Sequence, residues 1–171
     1  MATFVLTVLG DDRPGLVSDL SAPISMHGAS WERSQLSRLA GKFAGIVLVS
    51  VPHERYDALV ADLEALATAG LKVVVERTDE TDREESLRLT LELLGADRPG
   101  IVAEVSSALA ARDVSIEELV TDVRDAPMAG GTLFEATAVL SAPPSASTEE
   151  LRSMLEGLAD ELMVEITLSD D

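Results

Sequence analysis

The chain spells out one domain-length pattern twice. Gly10-Asp11-Asp12-Arg13-Pro14-Gly15 returns as Gly95-Ala96-Asp97-Arg98-Pro99-Gly100, 85 positions later. Leu16-Val17 pairs with Ile101-Val102, and Ala29-Ser30-Trp31-Glu32 with Val114-Ser115-Ile116-Glu117. Further on, Phe43 matches Phe134 and Pro52 matches Pro143 at an offset of 91, so the second copy has gained six residues between its middle strands. Solenoid repeats have periods of about 20 to 50 residues, so a repeat this long is a whole domain. The fold must therefore be one that about 85 residues can build, and build twice.

Each copy has the same order of elements. Thr3 to Leu9 is an apolar, β-branched run, and Leu87, Leu89, Leu91 and Leu93 alternate with Arg88, Thr90 and Glu92. A period of two means a strand with one buried face. Pro14 and Pro99 are expected at the first helical position, where a missing N–H is no loss. Asp12 and Asp97 stand where they can complement the positive end of each helix. Leu16, Val17, Leu20 and Ile24 have helical spacing, as do Ile101, Val102, Val105 and Leu109. Pro23, deep inside that pattern, predicts a kink or an early end near Ala22. Strands are expected at Ser30–Leu36, Ile46–Val51, Ser115–Val123 and Leu133–Leu140. Tyr56, Leu59, Val60, Leu63 and Leu66 mark a second helix in copy one. In copy two, Ser147 and Glu150 form a capping box before Leu151, Met154, Leu155, Leu158 and Leu162. Final strands fall at Leu71–Glu76 and Met163–Leu168. The six extra residues are expected in a loop around Asp125–Gly131, with Met128 exposed. The pattern is β-α-β-β-α-β in each copy, an α+β class of two ferredoxin-like units with antiparallel sheets and helices on one face. The domains are expected at 1–78 and 87–171, joined by an acidic linker at 79–86.

Charge narrows the function. The 171 residues carry a net charge of −18. Residues 1–78 hold 7 basic and 9 acidic side chains, and residues 79–171 hold 6 and 22. Such a chain repels phosphate backbones and anionic membranes, so direct nucleic-acid or membrane binding is not expected. The absence of cysteine excludes disulfides and thiolate chemistry. His27 and His53 stand apart, without metal-ligand spacing. No nucleophile–base pair, Walker loop or Rossmann fingerprint occurs. The expectation is a non-enzyme without metal or cofactor. With no leader pattern and no apolar run of about 20 residues, a cytoplasmic location follows.

What remains is the repeated turn. Glycines around Asp-Arg-Pro let the backbone bend sharply and approach a ligand. A helix N-terminus offers free N–H groups and partial positive charge, which suits a carboxylate. Arg13 and Arg98 can add a charged donor. A plain strand-to-helix turn explains the same residues.

A strand, Gly-x-Asp-Arg-Pro-Gly-hydrophobic-Val, a helix and a β-β-α-β remainder resemble the ACT domain. Two in tandem are similar to the glycine cleavage system transcriptional repressor group. The resemblance implies an amino acid or similar small ligand, bound where two such domains meet. It places the site on Asp11, Asp12, Arg13, Pro14 and Gly15 with Ala29 and Ser30, and on Ala96, Asp97, Arg98, Pro99 and Gly100 with Val114 and Ser115. Many relatives have asparagine where this chain has Ser30 and Ser115, and serine has a shorter reach. The resemblance also implies a protein partner, either a DNA-binding regulator or, alternatively, an amino-acid metabolic enzyme of which this chain is a regulatory subunit. A homodimer is a further option.

Overall fold

The computed structural model describes residues 1–79, 85–128 and 130–170. Residues 80–84 of the expected linker therefore lie outside the description. The chain divides into two compact units. The first contains β1 (Ala2–Asp11), α1 (Leu16–Met26), β2 (Ser30–Leu39), β3 (Lys42–Val51), α2 (Tyr56–Glu64) and β4 (Leu71–Arg77). The second contains β5 (Leu87–Ala96), α3 (Ile101–Ala110), β6 (Ser115–Asp125), β7 (Thr132–Ala142), α4 (Thr148–Leu162) and β8 (Val164–Asp170). Both sheets are antiparallel, with strand orders β2-β3-β1-β4 and β6-β7-β5-β8. Each unit is a ferredoxin-like βαββαβ fold.

Alternation in the central strands decides which face the helices cover. Phe4, Leu6 and Val8 of β1 are buried, as are Val47, Val49 and Val51 of β3, and they pack with Leu16, Leu20, Ile24, Leu59 and Leu63 of the helices. Leu89, Leu91 and Leu93 play the same part in the second core, against Ile101, Val105, Leu109, Leu151 and Leu155. Ser147 caps α4 as expected, its hydroxyl accepting from the Glu150 N–H at 3.3 Å.

Two local expectations change, and the expected longer loop of the second unit is found. The middle strands are longer than the apolar runs, because the polar tips of β2 and β3 still pair up to Leu39–Lys42 across a two-residue turn. Ala40 and Gly41 both have positive φ there, as a type I′ hairpin needs. In the second unit the connection runs from Ala126 to Gly131, with Ala129 outside the description, and Met128 is fully exposed. Pro23 does not end α1, which continues to Met26. It sits late in the helix and is itself buried in the core, so its contacts offset the single missing hydrogen bond.

The two cores are not equally filled. Val47 and half-buried Trp31 of the first unit correspond in register to Ala138 and Ile116 of the second. The smaller pair leaves an apolar hollow of about 20 Å³, bordered by Leu91, Val105, Leu119, Phe134 and Ala138. Ala138→Val should fill it and raise unfolding free energy by about 1 kcal/mol, the usual gain from cavity filling. Thermal or urea unfolding checks this; a loss of that size would mean the site is already full.

Candidate functional site

In both units the chain leaves the central strand, turns, and starts a helix within four residues. Gly15 has φ +90° and ψ 0°, and Gly100 has φ +92° and ψ −1°. These are the dihedrals of the third position of a type II turn, which favours proline just before it. Pro14 and Pro99 therefore belong to the turn, not to the first helical position. The helices begin one residue past each glycine, at Leu16 and Ile101. Gly10 and Gly95 lie in the strands, not in the turn. A Cβ on Gly10 would stand 2.7 Å from the Gly70 carbonyl oxygen, and one on Gly95 would stand 2.4 Å from Val164. Their glycines admit the neighbouring edge strand.

The helix starts are open. Neither Gly15 nor Gly100 provides a side-chain cap, and the acids of the first turn are Asp19 and Glu104. Asp12 does not cap as expected. Its carboxylate lies 3.5 Å from Arg38, and its N–H donates to the Gly41 carbonyl at 2.9 Å. The Asp97 N–H makes the matching bond to Thr132. Val17 and Val102, which fit the helical spacing, are 46% and 43% exposed beside the N-termini.

The arginines are partly solvated and bound back to the fold. Arg13 Nη2 donates to Asp19 at 2.7 Å and to the Ala69 carbonyl at 3.1 Å, tying the turn to α1 and to the segment before β4. Arg98 keeps the corresponding partner, Glu104, at a looser 3.9 Å. Both are ionic brackets across the first helical turns. Asp11 pairs with Lys42, whose hydrogen bond and positive charge hold its carboxyl below the usual carboxylate range.

The second half of the expected site lies far from the turn of its own unit. Ser30 pairs through Ser50 with Thr3, and Ser115 through Ser141 with Arg88. Each row is eight residues from the turn end of its central strand, about 26 Å at 3.3 Å per residue. Within a unit, therefore, Ala29–Ser30 and Val114–Ser115 do not meet the turn. Val114 is buried, so its side chain packs the core. The neighbours that do surround the first turn are Arg38, Gly41, Lys42 and Ala69. A tight hairpin after β2 was the sequence signal for the first three.

The ACT domain family matches residues 2–76 and 88–169. The chain belongs to the ACT-domain family. A glycine cleavage system transcriptional repressor of Escherichia coli (strain K12) is 26% identical over 160 residues, covering 92% of this chain and 84% of that protein. A solved structure of an unknown protein from Galdieria sulphuraria is 32% identical, with TM-score 0.88 over 99% of this chain and 98% of that one. The ACT domain is a regulatory, non-catalytic module, and this tandem ACT chain has a regulatory role. Among the described residues, no helix is long and apolar enough to cross a membrane, and no group of three or more His, Cys, Asp or Glu residues is placed to hold a metal.

Two measurements test these roles. Arg13→Ala should cost about 1 kcal/mol of stability and Arg98→Ala less, since only Arg13 makes close charged bonds, and both are partly solvated. Equal losses on unfolding would contradict the difference. Lys42→Ala should return the Asp11 carboxyl to its ordinary titration. A depressed carboxylate adds stability above its unfolded pKa and loses it as pH falls through the folded value. The pair is fully exposed, so NMR titration of Asp11, not stability, is the readout.

Proposed function

We propose that this protein senses a small molecule, an amino acid, and passes that state to a protein partner that controls transcription of amino-acid metabolism. The observation that carries the reading is the uncapped helix N-terminus behind an exposed Pro-Gly turn, present in both units. Its N–H groups point outward with partial positive charge, as a carboxylate requires. The resemblance of the whole chain to a bacterial transcriptional repressor supports the regulatory output. The net charge of −18 favours control through a protein over direct contact with DNA.

Asp12, Arg13, Pro14, Gly15, Asp97, Arg98, Pro99 and Gly100 form the proposed contact region, with the backbone as the main donor. Arg98, held loosely by Glu104, is the freer of the two guanidinium groups. The strand starts at Ala29–Ser30 and Val114–Ser115 take no part in the turn of their own unit.

A thermal-shift screen against the twenty amino acids is the direct test. A ligand at about 100 times its Kd should stabilise the native state by about 2.7 kcal/mol. Replacing glycine is a poor control, because any side chain at φ +90° is strained. Val17→Glu and Val102→Glu are better. An acidic residue in the first helical turn suits the helix dipole, so folding is kept, yet it repels a carboxylate. Binding measured by calorimetry should weaken at least tenfold in one or both variants. No shift with any amino acid, or unchanged affinity in both variants, would remove the ligand from this turn. Binding of a DNA duplex by the pure protein at physiological salt would remove the protein-partner step.

A further inference from the structure

The apolar hollow of the second unit lies between α3 and the strands β5, β6 and β7. Leu119, Ala138 and Leu91, three of its lining residues, form one cross-strand row. Two lining residues, Val102 of α3 and Leu119 of β6, are each 43% exposed, so the hollow reaches the surface between that helix and that strand. Ser106 is the one polar residue among the described residues that line it, and its hydroxyl donates to the Ala103 carbonyl at 3.2 Å. The lining therefore offers a guest apolar contact and no spare hydrogen bond. At about 20 Å³ the hollow has room for one small group. Apolar spaces of this kind stay dry and accept apolar guests.

The first unit is built differently at the same place. Trp31, Ser34 and Val47 stand in register with Ile116, Leu119 and Ala138. Trp31 packs against the core there, so the larger side chains of the first copy take up the space.

The hollow also begins at the proposed contact region. Ile101 and Val102 line it, and they are the first two residues of α3, directly after Gly100. Val105, another lining residue, is close to one turn further along, and a turn rises about 5.4 Å. A short side chain spans that distance.

We infer that the second unit selects an amino acid with a branched aliphatic side chain, one methyl of which fills this hollow while the rest covers Val102 and Leu119. The inference rests on the proposed carboxylate contact at the helix start and adds the part of the ligand that backbone N–H groups cannot distinguish. The positive end of α3 complements the carboxylate, which separates an amino acid from a neutral hydrocarbon. A polar side chain would lose water and find no partner. Glycine would leave the hollow empty, and an aromatic ring is too wide for it.

Calorimetry of the full chain with valine, leucine and isoleucine, against glycine, serine and phenylalanine, tests this. The branched ligands should bind about tenfold more tightly or better. Ala138→Val occupies the hollow from within, and should reduce that preference at least fivefold in a folded protein. Ile116→Trp installs the residue of the first unit and should do the same; it decides if Ala138→Val fails to fold. A packing gap with no part in binding would be filled without any change in ligand preference. Amino acids that bind without this preference, or a preference that survives in the folded variants, would overturn the inference and leave the proposed function standing. Binding of no amino acid would overturn both.

Discussion

The left-handed glycine between the central strand and the first helix is the constraint on which each unit depends. β1 lies between β3 and β4, so its end cannot continue into another strand pairing. The chain must lift out of the sheet and return across its apolar face. Pro14 and Gly15 make that reversal, and Pro99 and Gly100 repeat it with nearly the same dihedrals. An L side chain in this backbone region costs about 1–2 kcal/mol. The turn also sets the phase of the helix. Starting α1 at Leu16 puts Leu16, Leu20 and Ile24 on the sheet and leaves Val17 outside. A helix started one residue later would turn that stripe by about 100° and lift it from Phe4, Leu6 and Val8.

The same constraint leaves the helix start without a cap. Most helices begin with Ser, Thr, Asp or Asn because the side chain satisfies an early N–H. Glycine has no side chain to do so, and Asp12 is drawn away to Arg38 and the β2–β3 turn. α4 shows the alternative in the same protein, where Ser147 in extended conformation caps conventionally. The difference between α4 and the two helices behind the Pro-Gly turns is one of shape first. Open N–H groups follow from the reversal, and a use for them comes after.

The fold was legible because its signals are local and were written twice. Alternating leucines in β5, the Pro-Gly reversals and the capping box each point to one element, and the repeat fixes their order. The misjudged points depend on tertiary partners. Pro14 and Pro99 have the look of first helical residues, and only the left-handed glycine after each shows that they belong to the turn. Val17 has the spacing of a core residue, but the turn rotates it out. Pro23 obeys the rule against internal prolines until burial near the helix end makes it tolerable. Ala29–Ser30 and Val114–Ser115 follow the turns closely in sequence, yet antiparallel pairing takes them to the far end of their own sheet, so only a neighbouring domain could bring such a segment to a turn.

Duplication leaves a record of which features are fixed by folding and which are free to change. The arginine-to-acid bracket persists as Arg13–Asp19 and Arg98–Glu104, although its distance relaxes from 2.7 to 3.9 Å. The left-handed residue that follows the first helix persists too, as Gly28 at φ +66° and as Asp113 at φ +58°. Asp is one of the few residues that tolerates that region, so the same conformation is kept with either residue. Around the turns the copies diverge. Arg38 and Lys42, which hold Asp12 and Asp11, correspond in register to Val123 and Leu133. At these two positions the first turn has charged neighbours and the second apolar ones, although each turn keeps its own arginine–acid pair. The two turns therefore share one backbone conformation and differ in the side chains set around it, so folding fixes the first and leaves the second free to change.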